Sequence, residues 1–90
     1  FGGNDFFNKI SRISLSRIYI EIENYDDALS QLSVYSESSA NAYIHELIGD
    51  IFAAKQEVEK SIEQYMLADE KYDDQQSKSI IAMKIADLES

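Results

Sequence analysis

The sequence predicts an all-α fold: a right-handed stack of two helical hairpins plus a C-terminal capping helix, five helices in all. Three observations predict it. A pattern recurs at a fixed step, because Leu15-Ser16, Tyr19, Tyr25, Ala28, Leu32 and Tyr35 are followed 33 residues later by Ile48-Gly49, Phe52, Val58, Ser61, Tyr65 and Ala68. Self-similarity at such a period marks stacked supersecondary units. Within each copy the apolar residues fall three and four apart, which places them on one helix face. There is no proline and there are only three glycines in 90 residues, so the breaks between helices fall to Asn, Asp and Ser.

Residues 1–5 carry two glycines and little periodicity and read as a frayed, disordered or artificial end. Asn4 or Asp5 is placed to cap a first helix reaching about Glu23, with Phe6, Ile10 and Ile13 on one stripe and Leu15, Ile18, Tyr19 and Ile22 on another. A helix apolar on two sides is normally sandwiched, so one side is expected to face the next helix and the other an absent element or a ligand. The alternation from Ser11 to Ser16 and the run Ile18, Tyr19, Ile20 also suit a strand, but only a helix satisfies the repeat register. Asn24 and Asp27 have capping-box spacing and open a second helix from Tyr25 to about Tyr35. Ser36 to Ser39 is expected to link and to cap a third helix, Ala40 to about Lys55, carrying Tyr43, Leu47, Ile48, Ile51 and Phe52. Gln56 turns the chain into a fourth helix, Glu57 to about Tyr72. The last segment, Ser77 to Leu88, has Ile80, Ile81, Lys84, Ile85 and Leu88 at helical spacing and is expected to cap the stack. The units are thus hairpins at 6–37 and 38–73 and a capping helix at 74–90.

The side chains assigned to the packing seams are Leu15, Ser16, Tyr19, Tyr25, Ala28, Leu32, Ile48, Gly49, Phe52, Ser61, Tyr65 and Ala68. Small residues let the paired helix approach and large ones fill the space beside them. A single hairpin cannot bury its stripe alone, so neighbours must stack.

The order large-small, aromatic, aromatic, small, large, small resembles a tetratricopeptide repeat. More specifically, Leu15-Ser16-Arg17-Ile18, Asp26-Asp27-Ala28-Leu29 with Leu32, Glu46-Leu47-Ile48-Gly49-Asp50, and Ala82-Met83-Lys84-Ile85-Ala86-Asp87-Leu88 resemble the C-terminal part of YfgM-type proteins. These are ancillary subunits of the SecYEG translocon, and the likeness covers residues 8–90. It implies a periplasmic repeat domain, held at the bacterial inner membrane by an N-terminal anchor that precedes these residues. Translocon subunits, a periplasmic chaperone or an exported polypeptide would be its partners. Gln56 and Ser61 depart from the family, which usually has glycine and alanine there. The resemblance brings no catalytic motif.

Composition excludes several classes. Seventeen acids against eight bases give a net charge of −9, which repels phosphate backbones and makes nucleic acid a poor partner. The absence of cysteine removes disulfides, thiolate metal sites and cysteine nucleophiles. The longest apolar runs are four residues, as at Ile51–Ala54 and Ile80–Met83, against the roughly 20 a membrane helix needs. The chain begins at Phe1 without methionine or a signal-like segment, so we expect a soluble fragment of a longer protein.

If the hairpins stack, the first helix of each lines a concave, partner-binding face. In register, that face carries Ile10, Ile13, Arg17 and Ile20, then Tyr43, Glu46 and Asp50: apolar at one end and acidic at the other. The plainer reading is that the isoleucines pack on a preceding repeat, in which case the exposed first helix would support a homodimer. His45, the only histidine, beside Glu46, lacks the converging ligands of a metal site and reads as a packing residue. The acid pairs Asp26-Asp27, Asp73-Asp74, Glu59 with Glu63, and Glu46 with Asp50 read as solvated faces and helix-dipole partners. No catalytic, cofactor or metal residue is assigned. The expected function is non-catalytic protein binding. Alternatives are an adaptor of another cell-envelope or cytoplasmic complex, an appendage of an enzyme, or a dimerisation module.

Overall fold

The computed structural model describes residues 2–90 and contains five helices in order: α1 Gly2–Glu21, α2 Tyr25–Leu32, α3 Ala42–Ala54, α4 Val58–Lys71 and α5 Gln75–Glu89. Among the described residues there is no strand, so the strand reading of residues 11–20 falls away. α1 packs on α2, α3 on α4 and α5 on α4, with α2 joining the two hairpins through α3. The result is a slab of 44 × 30 × 19 Å. α1 begins at Gly2, earlier than a cap at Asn4 or Asp5 would place it, while Phe1 lies outside the described residues.

The two hairpin turns are the same turn. Glu23 and Gln56, 33 residues apart, both have positive φ, 61° and 65°. In each, the amide of the left-handed residue donates to a carbonyl three residues back (Ile20, Ala53), and the next amide donates five back (Tyr19, Phe52). These paired bonds satisfy carbonyls left open at the helix end, in the Schellman pattern that usually employs glycine. Here longer side chains occupy that position, at a cost of about 1 kcal/mol each.

Capping differs from expectation at two places. Asn24 does not cap α2; its side-chain amide donates to Asp27 at 2.7 Å instead. The cap of α3 is Asn41, which accepts from the Ile44 amide at 2.8 Å, and not a member of the serine run.

The serines instead end α2 early. One repeat step carries Ser33, Ser36 and Ser38 to Met66, Asp69 and Lys71, and α4 continues as helix to Lys71. Short hydroxyl side chains compete for backbone groups and favour turns over helix interiors. The Ser36 amide donates to Ser39 Oγ at 2.8 Å, and the Ser36 and Ser39 hydroxyls also bond each other. Residues 33–41 are therefore a long link. It is fastened by Lys71, whose ammonium donates to the carbonyls of Glu37 and Ala40 at 2.6 and 2.5 Å.

The main core unites Ala28 and Leu32 with Ala40, Ile44, Leu47, Ile48 and Ile51, flanked by Ile13, Tyr19, Ile20, Tyr25, Tyr35 and Phe52. A helix of eight residues such as α2 is unstable alone and owes its existence to this packing. Fully burying each of Leu32, Ile44 and Ile51 contributes about 1.5–3 kcal/mol. A smaller cluster joins Tyr65, Ala68 and Ile81, with Tyr72, Ile85 and Leu88 around it.

Each hairpin seam is closed by one serine, on opposite sides. In the first, Ser16 Oγ on α1 donates to the Ala28 carbonyl of α2 at 3.0 Å. In the second, Ser61 Oγ on α4 donates to the Gly49 carbonyl of α3 at 2.7 Å. Positions 16 and 49, and 28 and 61, are repeat equivalents, so the same two backbones are tied from either partner. Gly49 is small for a further reason. A Cβ there would lie 2.6 Å from Cδ1 and Cε1 of Tyr65, whereas the first hairpin has Leu32 at the position of Tyr65 and tolerates Ser16. Leu15 departs from the seam assignment. It remains 37% exposed where its equivalent Ile48 is buried against α2, because among the described residues no helix precedes α1 to cover it.

Candidate protein interface

The seven residues assigned to the inner face divide into three groups. Ile10 and Arg17 on α1 are exposed, and Tyr43 on α3 keeps 36% of its surface. Ile13 and Ile20 are half-buried and packed against the main core, so they do not line an open groove. Glu46 and Asp50 are brought together, but not for a free ligand.

α5 occupies their side of the face. Lys84 Nζ donates to Glu46 Oε2 at 2.6 Å and to the two Asp50 oxygens at 3.0 and 3.2 Å. Phenols add further donors: Tyr72 donates to Glu46 at 2.6 Å and Tyr65 to Asp50 at 2.5 Å. The Lys84 ammonium also lies 5.7 Å from the centre of the Tyr65 ring. Three helices and the C-cap of α4 thus supply one polar cluster in which every charge has a partner, and the Glu46 side chain is only 13% exposed.

The electrostatics follow from burial. Desolvation works to lower the Lys84 pKa, but the hydrogen bonds to Glu46 and Asp50 outweigh it and hold the ammonium above its usual range. Burial, and then the hydrogen bonds to Asp50 and Glu46, push the Tyr65 and Tyr72 phenols above theirs. The sequence reading missed Lys84 and Tyr72. A lysine inside the apolar stripe Ile80, Ile81, Ile85 and Leu88, in a chain whose α3 carries carboxylates four apart, was the available signal.

His45 is buried, with Nδ1 2.9 Å from Gln64 Oε1 and Nε2 3.2 Å from the Glu37 carbonyl. Its repeat equivalent Arg12 reaches Gln31, the equivalent of Gln64, at 3.4 Å. Both are cross-hairpin ties and have a packing role. Among the described residues, no group of three or more acidic or histidine side chains is arranged to hold a metal ion.

Several large apolar side chains are exposed. Phe6, Phe7 and Ile18 on α1 and Ile22 just beyond its end are each more than half exposed, as are Met66 on α4 and Met83 on α5. Exposed apolar side chains of this kind are suited to packing against other helices.

A family model described as a tetratricopeptide repeat-like domain matches residues 2–90. No curated protein and no solved structure matches the chain.

Proposed function

Since the chain belongs to the tetratricopeptide repeat-like domain family, and is therefore a helical repeat module of the protein-binding kind, we propose that it is the periplasmic repeat domain of a membrane-anchored ancillary subunit of the SecYEG translocon. In that role it binds translocon subunits, a periplasmic chaperone or an exported polypeptide, and carries out no chemistry of its own. No helix among the described residues is long and apolar enough to cross a membrane, so these residues do not themselves supply the anchor. The reading is supported by the likeness of Glu46-Leu47-Ile48-Gly49-Asp50 and of the segment Ala82 to Leu88 to YfgM-type proteins. The observation that carries the binding role is the inner face. Ile10, Arg17 and Tyr43 remain open to a peptide segment there, while Glu46 and Asp50 are held by Lys84. A photoreactive residue at Arg17 or Tyr43 in the full-length protein in cells is expected to capture translocon or chaperone partners. Capture of neither, from both positions, would remove the proposal.

A second reading has its own observation. The exposed apolar side chains Phe7 and Ile18 of α1 and Ile22 just after it suit a dimerisation surface. Light scattering distinguishes the two, since the translocon reading expects a monomer at micromolar concentration and the dimer reading expects twice that mass.

A further inference from the structure

The 33-residue step runs a third time. It carries the cap Asn41 to Asp74, which accepts from the Ser77 amide at 2.9 Å just as Asn41 accepts from Ile44. It carries Ile48-Gly49 to Ile81-Ala82 and Phe52 to Ile85. Packing follows the register, because Ile48 clusters with Ala28 and Leu32 of α2 while Ile81 clusters with Tyr65 and Ala68 of α4. α5 stands where the first helix of a third hairpin would stand.

What differs is the cover over the small residue. Ser16 and Gly49 are buried behind α2 and α4, but Ala82 is exposed, and among the described residues no helix lies on it. A groove runs there, lined by Met66, Asp69 and Glu70 of α4 and by Ile81, Ala82 and Ile85 of α5. One step back, the equivalent walls are Ser33, Glu37, Ile48 and Phe52, and there Gln64 of α4, the second helix of that hairpin, also lines the groove. The α4–α5 groove therefore has the walls of a hairpin seam without its second helix.

We propose that this groove receives one amphipathic helix from a partner protein, which completes a third hairpin against α5, with a leucine beside Ala82 and lysine or arginine at its edges. The leucine follows from the two seams on the page. Ala82 carries a Cβ, as Ser16 does, and the first seam uses Leu32; an aromatic residue at that place requires glycine opposite, as Tyr65 does. The basic edges follow from charge, since the exposed Glu70 stands at the rim beside Asp69, itself 3.8 Å from Lys78, in a chain of net charge −9. Met66, 58% exposed, gives the groove an adaptable wall. The site rests on the family's protein-binding role but uses none of the inner-face residues, so crosslinks from Arg17 or Tyr43 succeed or fail independently of it.

The test uses a defined probe, a fluorescein-labelled peptide of residues 24–35 that keeps Ala28 and Leu32 and carries Asp26→Lys and Asp27→Lys. Titrated against the 90-residue chain, its anisotropy is expected to saturate at one to one. Ala82→Trp is expected to weaken binding at least tenfold with the thermal melt unchanged, since Ala82 is exposed. If that variant melts early, Met66→Asp serves in its place and is expected to do the same. The peptide with its two aspartates intact is expected to bind at least fivefold more weakly. Absence of saturable binding, or indifference to both groove variants, would overturn the proposal; equal binding of the two peptides would overturn its basic edges. A concentration-dependent dimer of the chain alone that Ala82→Trp dissolves would overturn it by making a second copy the occupant.

Discussion

Gly49→Ala offers the most direct trial of the seam, because helix propensity and packing pull in opposite directions. In an exposed helix the change would stabilise by about 1 kcal/mol. Here the added Cβ meets Tyr65 Cδ1 and Cε1 at 2.6 Å and Cγ at 3.2 Å, whereas carbon pairs settle at about 3.5–4.0 Å. The ring is 2% exposed and tethered through its hydroxyl to Asp50, so it cannot swing aside without breaking that bond. Overpacking of this kind costs about 1–3 kcal/mol, and the net expectation is a loss of about 1 kcal/mol or somewhat more. Tyr65→Leu alone also destabilises, through the cavity it leaves and the lost bond to Asp50. In the Tyr65→Leu background, however, the seam has the small-against-leucine form of the first hairpin. There Gly49→Ala should stabilise by up to about 1 kcal/mol, giving a coupling of about 2 kcal/mol between the two sites. Urea unfolding followed by circular dichroism measures all four proteins, with a common m-value as the check on two-state behaviour. A gain in stability from Gly49→Ala with Tyr65 in place, and hence no coupling, would refute the steric account of the glycine.

The turns give a second expectation. Gln56→Gly and Glu23→Gly relieve the left-handed strain and should each raise stability by about 0.5–1 kcal/mol in the same assay, after the unfolded-state entropy of glycine is set against the gain. Lys84→Met leaves Glu46 and Asp50 half-buried without their cation and should cost about 1–2 kcal/mol, the partial exposure of Lys84 keeping the figure modest; a neutral result would mean that the cluster is solvent-screened. On the alkaline side, Lys84, Tyr65 and Tyr72 all have pKa values raised in the fold. The folded state therefore holds protons that the unfolded state releases near 10.0 for the phenols and 10.5 for the amine. Stability from these groups is complete below those values and falls as the pH rises through and beyond them. Thermal melts from pH 8 to 11.5 should show this decline, and Tyr65→Phe with Tyr72→Phe should flatten it.

Much of the architecture was written in residue type and interval. The large-small pairs at 15–16 and 48–49, and the small residues at Ala28 and Ser61, are local requirements of close helix approach, so they survive in the sequence as a period. What escaped depends on competition or on distance. Ser33 to Ser39 ended α2 early, because hydroxyl side chains took backbone groups that the helix needed, and apolar spacing does not report that contest. Asn24 has a capping side chain, but Asp27 engaged it first. The third run of the period was legible in Ile81-Ala82 and Asp74, yet α5 read only as a cover because it has no second helix to complete the motif. On the inner face, Ile13 and Ile20 were spent in the core and the carboxylates on Lys84. Which of several exposed-looking positions is taken up depends on contacts between residues 34 and 38 apart, and no local pattern encodes that.

The equal phase of Asn41 and Asp74 has a practical meaning for assembly. Residues 42–74 run from one capped start to the next, so this span behaves as a cassette. Spliced in again after Asp74, it would add a hairpin between α4 and α5 while leaving α1 and α5 to meet the same kinds of neighbour as before. Length is thus adjustable here without redesign of either terminus, and the rod grows in increments set by the chain's own ruler.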